Sequence, residues 1–419
     1  MMRPRTIPSA GTGGRCLVQH SGNDEPARIA IGTLTNVGAS LLGISGCAVN
    51  ILRNLERSRF TGRLWASHGY DDVRGLPEVV LTIPPLVFRA ACKLRLPLEL
   101  VARWNEREFL RQLDPSALVW AFPGWSPALF ARLRARGHTI ILERINSAVA
   151  HARQVLAQQA ARHGLPVPAH LNQQAVDNEA QELESADYIF VCSPFVERSF
   201  RSLGVPERKL VRCSYGWSPA DYQFPPAREH GNAVPRFLFV GADTLRKGLP
   251  DLLTIWQRAN PPAVLRILGR IAPEISARFS SVLSQSNVEV LGTDYSLTRH
   301  YRESDVFVLP SHEEGSPLVT YIALGAGIPS LVSPAGAGGI VRDDVEGLVR
   351  DPTDADAFTD ALLRLATDAD LRERLGRSAR AASTHYTWQQ VAASRSVVFA
   401  GIAGANFDAT TVPWPADER

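Results

Sequence analysis

Arg246 and Lys247 stand side by side between the apolar run Phe237-Leu238-Phe239-Val240-Gly241 and a helix expected over Pro250 to Arg258. Adjacent cations between a strand end and a helix start make a diphosphate site. They supply two positive charges, and the unpaired N–H groups of the helix lie beside them. Glu314 sits in a comparable place. It belongs to the loop Ser311-His312-Glu313-Glu314-Gly315-Ser316, between the apolar run Val306-Phe307-Val308-Leu309 and a helix expected over Leu318 to Ala326. A carboxylate there is better suited to accepting hydrogen bonds from hydroxyls than to meeting phosphate directly.

These groups need elements to hold them. From Asp305 to Val349 the order is strand, loop, helix, strand, which is one βαβ unit with parallel strands. Pro317 is tolerated in the first turn of that helix, Gly327 suits its left-handed end, and Pro329 prevents continuation. In sheets of this kind ligands bind at the carboxyl ends of the strands, where residues 311–316 fall.

The same alternation begins at Arg28-Ile29-Ala30-Ile31-Gly32, a strand followed by the Gly/Ser/Asn loop 33–40 and a helix from Ile44 to Leu55. No G-x-G-x-x-G opens that helix, which argues against a dinucleotide-dependent oxidoreductase. Further strands are expected at residues 63–67, 117–121, 139–143, 188–193, 209–212, 263–269, 288–292 and 330–333. One long helical region is expected from His151 to Ala186. Arg144 and Asn146 follow a strand end and are cleft candidates. The alternative for Arg144 is a structural ion pair.

The 419 residues suffice for two domains. The net charge of +3 hides an asymmetry: residues 1–220 carry 26 Lys and Arg against 18 Asp and Glu, and residues 221–419 carry 19 against 24. A basic first half suits an anionic partner such as a membrane surface, and equally suits an ordinary solvated surface. Residues 83–112 alternate apolar positions with Arg89, Lys93, Arg95, Arg103, Arg107 and Arg111. They read as a partly amphipathic basic stretch or a plain surface helix. The five cysteines show no metal-ligand spacing, and no apolar run is long enough to span a bilayer. Residues 1–27 are expected to be a flexible extension without a secretory core, and the expected location is the cytoplasm.

Pro310-Ser311-x-x-Glu314-Gly315-Ser316-Pro317-Leu318-Val319, followed by Ala323-Leu324-x-x-Gly327-x-Pro329, resembles the donor-site signature of family 4 glycosyltransferases. These are retaining enzymes of the GT-B fold. The resemblance covers nearly all of residues 28–402. It implies an α/β protein with two doubly wound Rossmann-like domains facing a central cleft. The expected divisions are an acceptor domain at 28–215, a linker at 216–234 and a nucleotide-sugar domain at 235–385. A helix crossing back to the first domain is expected at 386–404, and a loose tail at 405–419.

By the same resemblance the donor would meet Gly241, Arg246, Lys247, Gly292, Glu314, Gly315, Ser316, Pro317, Leu318 and position 322. Glu314, Lys247 and Arg246 would carry the chemistry. Asn36, Gly38, Arg144 and Asn146 would line the acceptor side. Two positions depart from the family: an arginine usual after the first glycine is Ala242, and the second motif glutamate, which contacts the ribose, is Ile322. The implied reaction moves a sugar from a nucleotide-diphosphate sugar to a glycan, lipid-linked or small-molecule acceptor, with retention. The co-substrate aside, no cofactor, metal or nucleic acid is implied, and contact with a membrane surface through the basic first half is an expectation. The alternative is a non-catalytic relative that kept the fold as a binding or regulatory subunit.

Overall fold

The computed structural model describes residues 28–415 apart from 36–37, 42, 95–96, 226–232, 243, 295 and 405–406. The extension expected at 1–27 and the cleft candidate Asn36 therefore lie outside the described residues.

Two parallel sheets form. The first contains β1 (Ile29–Leu34), β2 (Phe60–Ala66), β3 (Val79–Leu81), β4 (Leu118–Ala121), β5 (Ile140–Arg144), β6 (Tyr188–Val191) and β7 (Leu210–Arg212). Its spatial order is β3-β2-β1-β4-β5-β6-β7. The second contains β8 (Arg236–Val240), β9 (Val264–Leu268), β10 (Val288–Gly292), β11 (Val306–Leu309), β12 (Ser330–Val332) and β13 (Gly347–Val349), in the order β10-β9-β8-β11-β12-β13. The central strands β4, β5 and β11 are buried along their whole length. Helices cover both faces of such sheets, so their strands read as continuous apolar runs rather than alternating ones.

Both orders reverse direction beside the first strand of the sheet. The switch points lie between β1 and β4 and between β8 and β11, where the connections leave to opposite faces and open a crevice. The chain thus has the α/β, GT-B arrangement of two Rossmann-like domains.

Several local differences have physical reasons. β3 and β13 are three-residue strands at sheet edges, too short to show periodicity. The second strand begins at Phe60 rather than Arg63. The single helical region expected at 151–186 is two helices, Val149–His163 and Gln173–Ser185. Gly164 ends the first in the left-handed conformation with φ 60°, and Pro166 and Pro168 follow.

The last helix, Trp388–Ala403, packs on the first sheet. Phe399 meets Trp120 at 5.6 Å and Phe190 at 5.7 Å between ring centroids. The tail expected to be loose is packed over residues 407–415: Phe407 lies edge-on to Tyr188, and Arg212 sits over the Trp414 ring. No described helix is long and apolar enough to cross a membrane.

Candidate active site

The loops after β8 and β11 flank the switch point of the second sheet. Lys247 and Arg246 come from the first loop and Glu314 from the second. Lys247 Nζ lies 2.8 Å from Glu314 Oε1, and Arg246 Nη1 lies 2.7 Å from Glu314 Oε2. Ser311 Oγ donates to Glu314 Oε1 at 3.3 Å. Arg246 Nη1 also donates to the Glu313 carbonyl at 3.1 Å, and His312 N donates to the Arg246 carbonyl at 2.9 Å, so the two loops are stitched along their backbones.

Glycines make this approach feasible. The Lys247 side chain runs across the α-carbon of Gly241, where a Cβ would collide with it. Gly248 has φ 71° and lies against the Pro310 carbonyl, and it caps the helix Leu249–Ala259 that starts beside Lys247.

The electrostatics of the adjacent glutamates diverge. Burial pushes the Glu314 carboxyl up, but the Lys247 and Arg246 charges outweigh it and hold the group below its ordinary range. Burial dominates at Glu313, which stays above the ordinary range despite Arg246 and two hydrogen bonds from Ser147. Glu314 is therefore a carboxylate at neutral pH.

The loop 311–316 meets the first domain directly. Ser147 N and Oγ each donate to Glu313 Oε1 at 2.9 Å. Gly315 lies against the Ile145 carbonyl so closely that a Cβ would collide with it, and the Asn146 backbone is its next neighbour. Asp251 adds a second bridge: its Oδ2 accepts from His163 at 3.0 Å and from His312 at 2.7 Å. Burial pushes the Asp251 carboxyl up, but the two imidazole hydrogen bonds hold it well below its ordinary range.

The remaining expected positions divide. Ser316 Oγ lies 2.7 Å from the Tyr321 hydroxyl and donates to the Gly338 carbonyl at 3.0 Å. Pro317 precedes the helix Leu318–Ala326, Leu318 is half-buried, and Ile322 is buried at 4% exposure. Gly292, with φ 69°, ends β10 in open space, and its carbonyl accepts from Gly269 N at 2.7 Å. Gly38 packs against the His68 ring beyond β1. The backbone of Asn146 lies beside Gly315.

Arg144 does not serve as a cleft ligand. It is buried, ion-paired with Glu179 and Glu182, and set over the Phe200 ring. Two carboxylates neutralise its charge, which is the structural alternative stated for it. Glu313, Ser147, Asp251, His163 and His312 are the interdomain groups that sequence reasoning did not single out. The loop 311–316 that carries His312 and Glu313 was placed at a strand end, but nothing in the sequence linked these five groups across the domains. Among the described residues no group of three or more His, Cys, Asp or Glu side chains is placed to hold a metal.

Residues 234–368 match the family of glycosyl transferases group 1. The matched stretch covers most of the second domain and contains Gly241, Arg246, Lys247, Gly292, Glu314 and Ile322. Among curated proteins, D-inositol 3-phosphate glycosyltransferase from Xylanimonas cellulosilytica is 34% identical over 182 residues, which is 40% of this chain and 42% of the relative. Amylovoran biosynthesis glycosyltransferase AmsD from Erwinia amylovora is 26% identical over 156 residues, covering 36% of this chain and 44% of the relative. The chain thus spans less than half the length of these relatives.

Two solved structures share the whole GT-B fold. Sucrose-phosphate synthase from Thermosynechococcus elongatus superposes with a TM-score of 0.66 at 19% identity, over 90% of this chain and all of that one. Anabaena HepE, solved with UDP and glucose, superposes with a TM-score of 0.63 at 15% identity, over 89% of this chain and all of that one. At such identities the likeness concerns the fold alone.

Proposed function

We propose that the protein transfers a sugar from a nucleotide-diphosphate sugar to a glycan, lipid-linked or small-molecule acceptor, with retention of configuration. One observation carries this reading: Lys247 and Arg246 converge on Glu314 at the switch point of a group 1 glycosyltransferase domain.

The triad fits an exchange of partners. Without donor, Glu314 is shared between both cations. A diphosphate arriving at Lys247 and Arg246 takes over their charges, and the released carboxylate accepts hydrogen bonds from the sugar hydroxyls. In the reaction the bond from the anomeric carbon to the diphosphate oxygen breaks and one from that carbon to the acceptor oxygen forms on the same face. The leaving diphosphate takes the acceptor proton. Lys247, Arg246 and the N–H groups at the start of the helix Leu249–Ala259 stabilise the departing charge, a task that elsewhere falls to a divalent metal. In this reading Asn146 and Gly38 face the acceptor, the protein works in the cytoplasm, and its basic first half meets the inner face of the membrane.

A second reading rests on Ile322. A buried apolar side chain cannot accept a ribose hydroxyl, and an unpaired buried hydroxyl costs about 1–3 kcal/mol. This favours a non-catalytic binding subunit. Thermal unfolding against UDP, GDP, ADP and CMP separates the two. The first reading expects a shift with one nucleotide, UDP being the first to try, followed by transfer from the matching sugar nucleotide in excess EDTA. A protein that none of them stabilises sinks the reading of a complete donor site.

A further inference from the structure

The helix Pro85–Lys93 has no buried residue. Leu86 is 77% exposed and Val87 56%, and the turn that follows leaves Leu94 72% exposed. On the next helix, Leu98–Gln112, Leu100 and Trp104 are half in solvent. Water is a poor place for this much aliphatic surface on consecutive elements, so something of matching chemistry covers it.

The charges indicate what. Between Glu78 and Glu99 the chain carries Arg89, Lys93 and Arg95 and no acidic residue, and Arg103 follows on the second helix. Exposed leucine and valine interleaved with long cationic side chains match a bilayer interface. The apolar groups enter below the headgroups while the cations stay at the level of the lipid phosphates. A second copy of the chain is a poor fit, because a two-fold contact through this patch would set its cations against themselves.

Both helices are tied to the loop after β1. The Phe88 ring stacks on His68 with centroids 4.0 Å apart, and His68 packs on Gly38. Trp104 Nε1 donates to the Thr82 carbonyl at 3.0 Å, Thr82 Oγ1 donates to Asn105 at 2.8 Å, and Asn105 Nδ2 donates to the Thr35 carbonyl at 3.3 Å. That loop follows the central strand at the switch point of the first sheet.

We infer that the helix Pro85–Lys93 with Leu94, together with the first turns of the helix Leu98–Gln112, forms a docking surface for an anionic bilayer, which sets Thr35 and Gly38 beside the membrane. The acceptor is then a lipid-linked molecule reaching the cleft from the bilayer. This last step rests on the transfer reading, whereas the surface stands without it.

The test is co-sedimentation of the full chain with vesicles of phosphatidylglycerol and phosphatidylcholine, against vesicles of phosphatidylcholine alone, with no nucleotide present. The wild type sediments with the anionic vesicles, and raising the salt weakens this. Arg89→Glu with Lys93→Glu lowers the partition coefficient about tenfold or more, since each cation near an anionic surface contributes substantially. Leu86→Ser with Leu94→Ser lowers it to a similar degree. These side chains are exposed, so both double variants keep the wild-type Tm.

Equal sedimentation with both vesicle types overturns the proposal, as does wild-type binding by the serine variant. Concentration-dependent self-association without vesicles, abolished by the serine variant, overturns it in favour of a contact between copies. A nucleotide shift without vesicle binding removes the surface and leaves the transfer reading, while vesicle binding without a nucleotide shift does the reverse.

Discussion

Lys247 Nζ stands 2.8 Å from Glu314 Oε1 in a site where the carboxylate is 6% exposed, so neither charge is solvated as it would be in water. The pair joins two loops from opposite sides of the crevice, and in the transfer reading the diphosphate site is assembled only when both are in place. In that reading Lys247→Ala removes one of the two cations that face the leaving group. Loss of one such preorganised group costs about 10²–10³-fold in kcat. Steady-state transfer should fall by that order, and Lys247→Arg should restore part of it. Wild-type turnover by the alanine variant would place the diphosphate elsewhere.

Gly315 is where the loop 311–316 touches the first domain. A methyl group there collides with the Ile145 carbonyl, so Gly315→Ala has to separate the loop from Ile145-Asn146 and break the Ser147–Glu313 hydrogen bonds. Transfer should be abolished, and small-angle scattering should report a larger radius of gyration. Gly292→Ala is the control. Its φ of 69° is unfavourable for alanine, but nothing lies near the new methyl. It should cost about 1 kcal/mol of stability and leave the shape unchanged.

The meeting of Arg246 and Lys247 with Glu314 was legible because its determinants are local. Strand, turn and helix signals put Lys247 and Glu314 at strand ends, and the parallel sheet then forces those ends together. The interface between domains was not legible in the same way. Ser147 and Glu313 are 166 residues apart and belong to different sheets, so no periodicity relates them. Arg144 shows the opposite error. Its position after a strand suggested a ligand, but its partners Glu179 and Glu182 sit on a helix whose start at Gln173 was hidden inside one long helical run. The edge strand Val79–Leu81 was missed because three residues carry no pattern.

Ile322 is buried on the helix Leu318–Ala326, which begins at the donor loop. Ile322→Glu should lower Tm in the absence of nucleotide, since a carboxylate then replaces a packed side chain. With a nucleoside diphosphate bound, the new acceptor gains a ribose hydroxyl, and Kd should improve about tenfold, or 1.4 kcal/mol. Isothermal titration calorimetry measures this. An unchanged Kd would show that position 322 does not face the ribose.

Arg395 on the last helix donates through Nη1 and Nη2 to Glu143 of β5, at 3.2 and 3.0 Å, with 2% and 0% side-chain exposure. Trp120 Nε1 and the Tyr215 hydroxyl also donate to Glu143, at 2.7 and 2.9 Å. Removing one partner strands a buried charge. Arg395→Met or Glu143→Leu alone should each cost about 3–5 kcal/mol in denaturant unfolding, with the double variant much closer to wild type. Additive losses in that cycle would mean that packing, not charge, fastens the helix to the first sheet.

Glu313 should make stability pH-dependent in a direction unusual for a carboxylate. Burial raises its pKa in the folded chain above the unfolded value, despite Arg246 and Ser147. In the window between those two values the folded state holds more protons, so stability falls as pH rises. The contribution of the protonated group is complete below the unfolded pKa and is lost as pH climbs through the folded one. Glu314 works the other way, because its folded pKa is depressed and its contribution is lost as pH falls. Glu313→Gln isolates the first effect. Unfolding free energies measured from the ordinary glutamate pKa of about 4.3 up to about pH 7 should show the variant gaining on wild type as pH rises. A difference that is flat across this range, or that slopes the other way, would mean that Glu313 is ionised throughout and that Ser147 and Arg246 outweigh its burial.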